Sequence, residues 1–155
     1  MTQWNKFRPY QRGDVLKVWR DLRPEDLREY RTMGMDDPVI VEDFILGIRQ
    51  KLTTWDTERG PVAVLGVTPG ETPEVGCIWA IASHHALPRW RFAVRNTEGA
   101  LRWLSEGYLL LSNYKDARNT QQINWLRRLG FVFIRTDENY GGSGSPFHQF
   151  VRIVQ

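Results

Sequence analysis

His84 and His85 could hold a metal ion or act as a base. Adjacent residues at a strand end point to opposite faces, and no third ligand of suitable spacing follows, so no metal site is expected there. The run Gly141-Gly142-Ser143-Gly144-Ser145 has the composition of a phosphate cradle. A cradle feeds a helix, whereas this run feeds Pro146 and an apolar strand, so it reads as a hairpin loop. Cys77 lies in an apolar stretch with no predicted base beside it, which suits a small core residue rather than a nucleophile. As the single cysteine it excludes an internal disulfide and a cysteine-based metal cage. Seventeen arginines against four lysines favour phosphate or carboxylate recognition. Arg89, Arg91, Arg95 and Arg102 crowd one segment, and Arg127-Arg128 end another. Acidic residues offset them to a net charge of +3, which leaves DNA as a weak partner only.

The elements that must position these groups follow from periodicity. A chain of 155 residues with 41% hydrophobic and 25% charged residues fits one folded domain, 1–155. No apolar run approaches ~18 residues, so no membrane span is expected. The opening MTQWNKFRPYQRGD lacks the apolar core of a secretion signal, which implies a chain made to stay in a cytoplasm. Residues 6–11 read as a strand. Three helical pieces follow, the first carrying Val15, Val18 and Trp19, the second opened by Pro24 and the third by Asp37-Pro38. The apolar face of the third runs through Val41, Phe44, Ile45 and Ile48 to Leu52. Residues 61–67 and 75–82 form an apolar hairpin, and a helix of about five turns begins after Pro88. Strands at 108–113, 131–136 and 147–154 enclose a helix that Asn119-Thr120 caps and Gly130 stops. The order β-ααα-ββ-α-β-α-β-β is that of an α/β (α+β mixed) domain. Trp19, Trp79, Trp90 and Trp103 fall on inner faces, whereas Trp4 and Trp55 sit in irregular segments and suit exposed contacts.

This element order, together with NTQQINWLRRLGF at residues 119–131, resembles the GNAT acyltransferases. Asn119, Arg128, Gly130 and Phe131 match that family's N-x-x-A-x-x-L-Y-x-K-x-G-F segment. The resemblance implies a central mixed, mostly antiparallel sheet, with the strands at 75–82 and 108–113 side by side and splaying apart to form a cleft. A narrower similarity is to the internal virion protein A family of autograph-type short-tailed phages. It rests on Arg8-Pro9, the Gly-Asp opening of the first helix and the N-T-x-x-I-x-W-L-x-x-L-G-F run. That similarity implies a virion or virion-assembly protein, located in the virion or host cytoplasm and partnered by other phage virion or assembly proteins.

Two departures from the acyltransferase pattern argue against catalysis. Residues 83–94, SHHALPRWRFAV, contain no glycine where the family brings bare backbone amides to the coenzyme A pyrophosphate. Leu126 stands where the family often has a proton-donating tyrosine, although Tyr114 or Ser112 could take that part. The expectation is therefore a degenerate acetyltransferase with no catalytic residues, no cofactor and no tight hold on acetyl-coenzyme A. Two alternatives stand beside it: an N-acetyltransferase using acetyl-coenzyme A on a host or phage amine, and an arginine-rich, nucleic-acid-associated ejection factor. If a coenzyme A site is retained, the resemblance places Ile81, Ala82, Arg89 and Asn119 along it.

Overall fold

The computed structural model describes residues 5–155; Trp4 and the side chain of Trp90 lie outside that description. Among the described residues, seven strands form one sheet, and five helices cover its two faces. In chain order these are β1 (Asn5–Pro9), α1 (Asp14–Trp19), α2 (Pro24–Thr32), α3 (Pro38–Leu46), β2 (Lys51–Thr57), β3 (Gly60–Pro69) and β4 (Val75–Ala82). A 3-10 turn (His84–Arg89) leads into α4 (Trp90–Leu104), followed by β5 (Leu110–Asp116), α5 (Thr120–Arg128), β6 (Val132–Asp137) and β7 (Phe147–Ile153). The sheet order is β1-β2-β3-β4-β5-β7-β6, antiparallel throughout except for the parallel pair β4–β5. This is the mixed, mostly antiparallel α/β architecture expected from the sequence, with the 75–82 and 108–113 strands adjacent.

Strand alternation separates two cores. Val64 and Ile81 face Val15, Val18, Tyr30, Val41 and Ile45 of α1–α3. Their neighbours Ala63, Leu65 and Ala82 face Ala93, Leu101 and Leu104 of α4 on the other side. Burial on both faces explains why β3 and β4 are apolar runs rather than alternating ones.

Several expectations need correcting. The third helix stops at Leu46, with Gly47 as its C-cap and Phe44 59% exposed rather than on its inner face, and Leu52 belongs to a strand that the periodicity does not reveal. That strand, β2, hides threonines: Thr54 is fully buried and donates to Asp14 at 2.8 Å, while Thr53 donates to the Arg8 carbonyl at 3.1 Å. Trp55, read as an exposed contact residue, is 1% exposed between Phe7 and Phe92. Conversely Trp103, read as inward, is 48% exposed with the Lys51 ammonium 5.1 Å from its ring. The helix turns about 100° per residue, so when Leu101 and Leu104 face the sheet, residue 103 looks outward.

Candidate active site in the gap between β4 and β5

The parallel pairing of β4 and β5 covers Val75–Leu110, Gly76–Leu111 and Cys77–Ser112 and then ends. Beyond it the strands separate, and the β4 edge from Ile78 to Ala82 has no strand partner on that side. Side chains take over part of the hydrogen bonding. The Asn113 amide donates to the Ile78 carbonyl at 2.6 Å, and the Tyr30 hydroxyl donates to the Ala80 carbonyl at 3.0 Å. Because N–H and C=O groups of alternate residues face the same edge, the Ala80 and Ala82 amides face the gap too. A row of backbone donors beside a cavity suits a ligand carrying amide groups, which pairs with it as a strand would.

Two cavities border the gap. The larger, about 370 Å3, is mostly apolar and reaches both faces of the sheet, with Trp19, Met33 and Trp79 among its walls on one and Leu101, Leu126 and Phe131 on the other. Glu29, Tyr114, Lys115 and Tyr140 supply polar atoms to it. The smaller, about 260 Å3, lies between Ala82, Ser83 and Leu87 on one side and Gln121, Trp125 and Arg128 of α5 on the other, with Arg23 also in its wall. Trp125 and Gln122 line both cavities.

A polar network ties α2 to the strand end of β5. The Arg23 guanidinium donates to both Asp26 oxygens at 2.9 and 3.0 Å, to Asn119 Oδ1 at 3.1 Å and to Gln121. Asn119 returns a bond from Nδ2 to Asp26 Oδ1 at 2.9 Å. Glu29, 2% exposed, accepts from the Lys115 ammonium at 3.0 Å and the Asp116 amide at 2.7 Å. Burial pushes the Asp116 carboxyl up, but hydrogen bonds from the Arg118 side chain and amide outweigh it and hold the group below its ordinary value.

The sequence-derived site residues separate. Ala82 lines the smaller cavity, and Ile81, 4% exposed, packs on α1–α3 and lines the larger one. Asn119, 2% exposed, reaches the smaller cavity through Arg23. It holds the N-cap position of α5 but makes no side-chain cap, because its amide is committed to Asp26 and Arg23. Arg89 turns away from the gap to Glu58 in the β2–β3 turn and to the His85 carbonyl at 2.9 Å. Gly130, at φ +85°, stops α5 as expected, with the Phe131 amide reaching back to the Leu126 carbonyl at 3.1 Å.

Arg23, Glu29, Tyr30, Asn113 and Tyr140 escape sequence reasoning. Only Tyr30 carries a local signal there, on the inner face of its helix. Residues 84 and 85 lie in a 3-10 turn, not at a strand end, and their ring centroids are 4.0 Å apart. Ser112 bonds to Gln149 at 3.1 Å, whereas Tyr114 lies on the cavity wall. Tyr140 faces Tyr114 at 4.8 Å between ring centroids and stacks on Phe147 at 4.5 Å. Burial first, then the negative forms of nearby groups, raise the Tyr140 hydroxyl above its ordinary pKa and keep its proton in place. Burial likewise raises the Cys77 thiol, which disfavours a thiolate.

The residues fit coenzyme A unevenly. In the 83–89 turn the His84 amide is spent on the Asp21 carbonyl, that of His85 on Ser83 Oγ and that of Ala86 on the Ser83 carbonyl. Pro88 has no amide hydrogen to offer. Those three amides are therefore not open to a phosphate, and the cations in the wall of the cavity beside that turn are Arg128 and Arg23, the latter paired with Asp26. The gap itself, with its free β4 amides, fits the amide-bearing arm.

No family model and no curated protein matches the chain. Solved structures do. An acetyltransferase of the GNAT family from Streptococcus pneumoniae is 12% identical, with a TM-score of 0.71 over 98% of this chain and 100% of that one. Ard1 from Thermoplasma volcanium is 15% identical, with a TM-score of 0.73 over 97% and 98%. Spermidine N-acetyltransferase from Vibrio cholerae, solved with CoA and spermine, is 10% identical, with a TM-score of 0.72 over 96% and 95%. The chain has the GNAT acetyltransferase fold. These neighbours are acetyltransferases, which overturns the expectation of a phage virion or assembly protein and leaves a virion location without support. Among the described residues no helix is long and apolar enough to cross a membrane.

Proposed function

We propose that this chain is an N-acyltransferase that moves an acyl group from acetyl-coenzyme A, or a close acyl homologue, to an amine. The observation that carries the reading is the separation of β4 from β5 after Cys77, which leaves a row of backbone amides between two cavities. The fold shared with acetyltransferases, one of them holding CoA and spermine, supports it. When bound, acetyl-coenzyme A supplies a thioester carbonyl open to attack by nitrogen.

The chain's own groups divide the remaining tasks. Ala80 and Ala82 amides bind the amide-bearing arm in the gap, and Arg128 answers the phosphate charge from the smaller cavity. The larger cavity admits the amine, and its apolar walls favour an acceptor with hydrocarbon or aromatic bulk. Glu29, fixed by Lys115 and the Asp116 amide, orients the nitrogen end. As the C–N bond forms and the C–S bond breaks, Tyr140 would give the sulfur a proton from Oη, with Tyr114 packed against it. The proton shed by the acylated nitrogen would restore Tyr140, so the sulfur's proton comes from the loop wall rather than from position 126. Leu126 is half-buried and lines the same cavity as a plain apolar surface.

Thiol release from acetyl-coenzyme A in the presence of aliphatic, aromatic and peptide amines tests this reading. Turnover with at least one class is expected. In Tyr140→Phe, kcat should fall by roughly 100-fold with little change in the KM for acetyl-coenzyme A. Release no faster than the protein-free rate with every class would overturn it.

A further inference from the structure

We propose that Asp21, His84 and His85 form a binding site for a divalent transition cation, with zinc as the best-matched ion. One ligand atom from each of these residues lies within 4.8 Å of the other two. His85 Nε2 and Asp21 Oδ2 are 3.4 Å apart, close to the roughly 3.3 Å edge of a tetrahedron with zinc–ligand bonds near 2.0–2.1 Å.

That assembly comes from two segments distant in sequence. The His84 amide donates to the Asp21 carbonyl at 2.9 Å, and Leu22 and Ser83 form an isolated antiparallel bridge. The 3-10 turn then presents both imidazoles together. Arg89 holds that turn from inside, donating to the His85 carbonyl at 2.9 Å, while the His85 amide rests on Ser83 Oγ at 3.3 Å. The acyltransferase reading uses neither histidine.

Donor chemistry selects the ion. Two imidazole nitrogens and one carboxylate suit zinc, nickel or copper, whereas magnesium and calcium demand oxygen ligands. Three protein ligands leave one tetrahedral position for water. The Asp21 side chain is 45% exposed and that of His85 28%, so the ion has a path in from solvent. A bound ion pins the α1–α2 connection to the turn whose Ser83, Ala86 and Leu87 line the smaller cavity. The proposal does not depend on catalysis.

The test uses the full chain stripped with a chelator and titrated with zinc sulfate against a chromogenic competitor. One equivalent is expected to bind with a dissociation constant of roughly 10 μM or tighter, and to raise the melting temperature. The double variant His84→Gln/His85→Gln should lose more than about tenfold in affinity and the zinc-dependent rise in melting temperature. His148→Gln and Cys77→Ser should keep both. If the double variant melts lower without metal, Asp21→Asn provides the second reading and should also lose about tenfold. Zinc uptake unchanged in the double histidine variant and in Asp21→Asn, or none in the wild type at about 100 μM free zinc, would overturn the site.

Discussion

Asp14 shows how a single side chain can join three elements. It is 1% exposed and accepts from Arg8 at 2.9 and 3.0 Å, from the Gln11 amide at 2.8 Å and from Thr54 at 2.8 Å. Burial pushes its carboxyl up, but these donors and the Arg8 charge pull it below the ordinary value. A depressed carboxyl contributes stability above its unfolded pKa of about 3.9 and loses it as pH falls through the lower folded value. Asp116 has the same sign. Asp14→Asn should therefore cost about 2–3 kcal/mol at pH 7, less than a fully orphaned buried partner because Arg8 retains Asp56 at 2.7 Å. Melting curves between pH 3 and 7 check this: the variant starts lower and declines less steeply below about pH 4. Parallel curves would contradict the assignment. None of this was legible beforehand, since Asp14 reads as a helix-start acid and its partners lie 6 and 40 residues away.

Elements were legible where one local rule sufficed. The apolar hairpin, the Gly130 stop and the strand at the β5 position follow from run length, turn residues and spacing. β2 was hidden because its buried face is built of threonines that satisfy their hydroxyls through long-range bonds. The gap residues were hidden for a related reason: Arg23 and Asn119 look like a surface cation and a helix cap until a contact spanning 96 residues joins them. One strand pair offers a sharp test. Gly66 lies opposite Trp79, and a methyl there would sit 2.4 Å from the indole, whose nitrogen is already held by Gln50 at 2.9 Å. Gly66→Ala should destabilise by about 1–3 kcal/mol, lowering the melting temperature by roughly 3–10 °C. Trp79 walls the larger cavity, so the KM for the amine should move more than that for acetyl-coenzyme A. An unchanged melting temperature would show that the indole slides aside.

At the scale of the whole molecule, function turns on one topological fact. A mostly antiparallel sheet contains a single parallel pair, and that pair holds together for only three residue positions before parting. Helices α1–α3 and α4–α5 cover opposite faces, and at the parting the larger cavity reaches both of them, from Trp19 and Met33 on one to Leu101 and Leu126 on the other, with the smaller cavity beside it. In the proposed acyltransferase reading the glycine-free turn leaves the larger cavity open, and phosphate is met by the Arg128 side chain in the smaller one. Isothermal titration of acetyl-coenzyme A into the full chain tests this most directly. The predicted result is one saturable site with a dissociation constant below about 100 μM, equivalent to roughly 5.5 kcal/mol, weakened severalfold by added salt and by Arg128→Gln. No saturable binding up to about 1 mM would contradict the account.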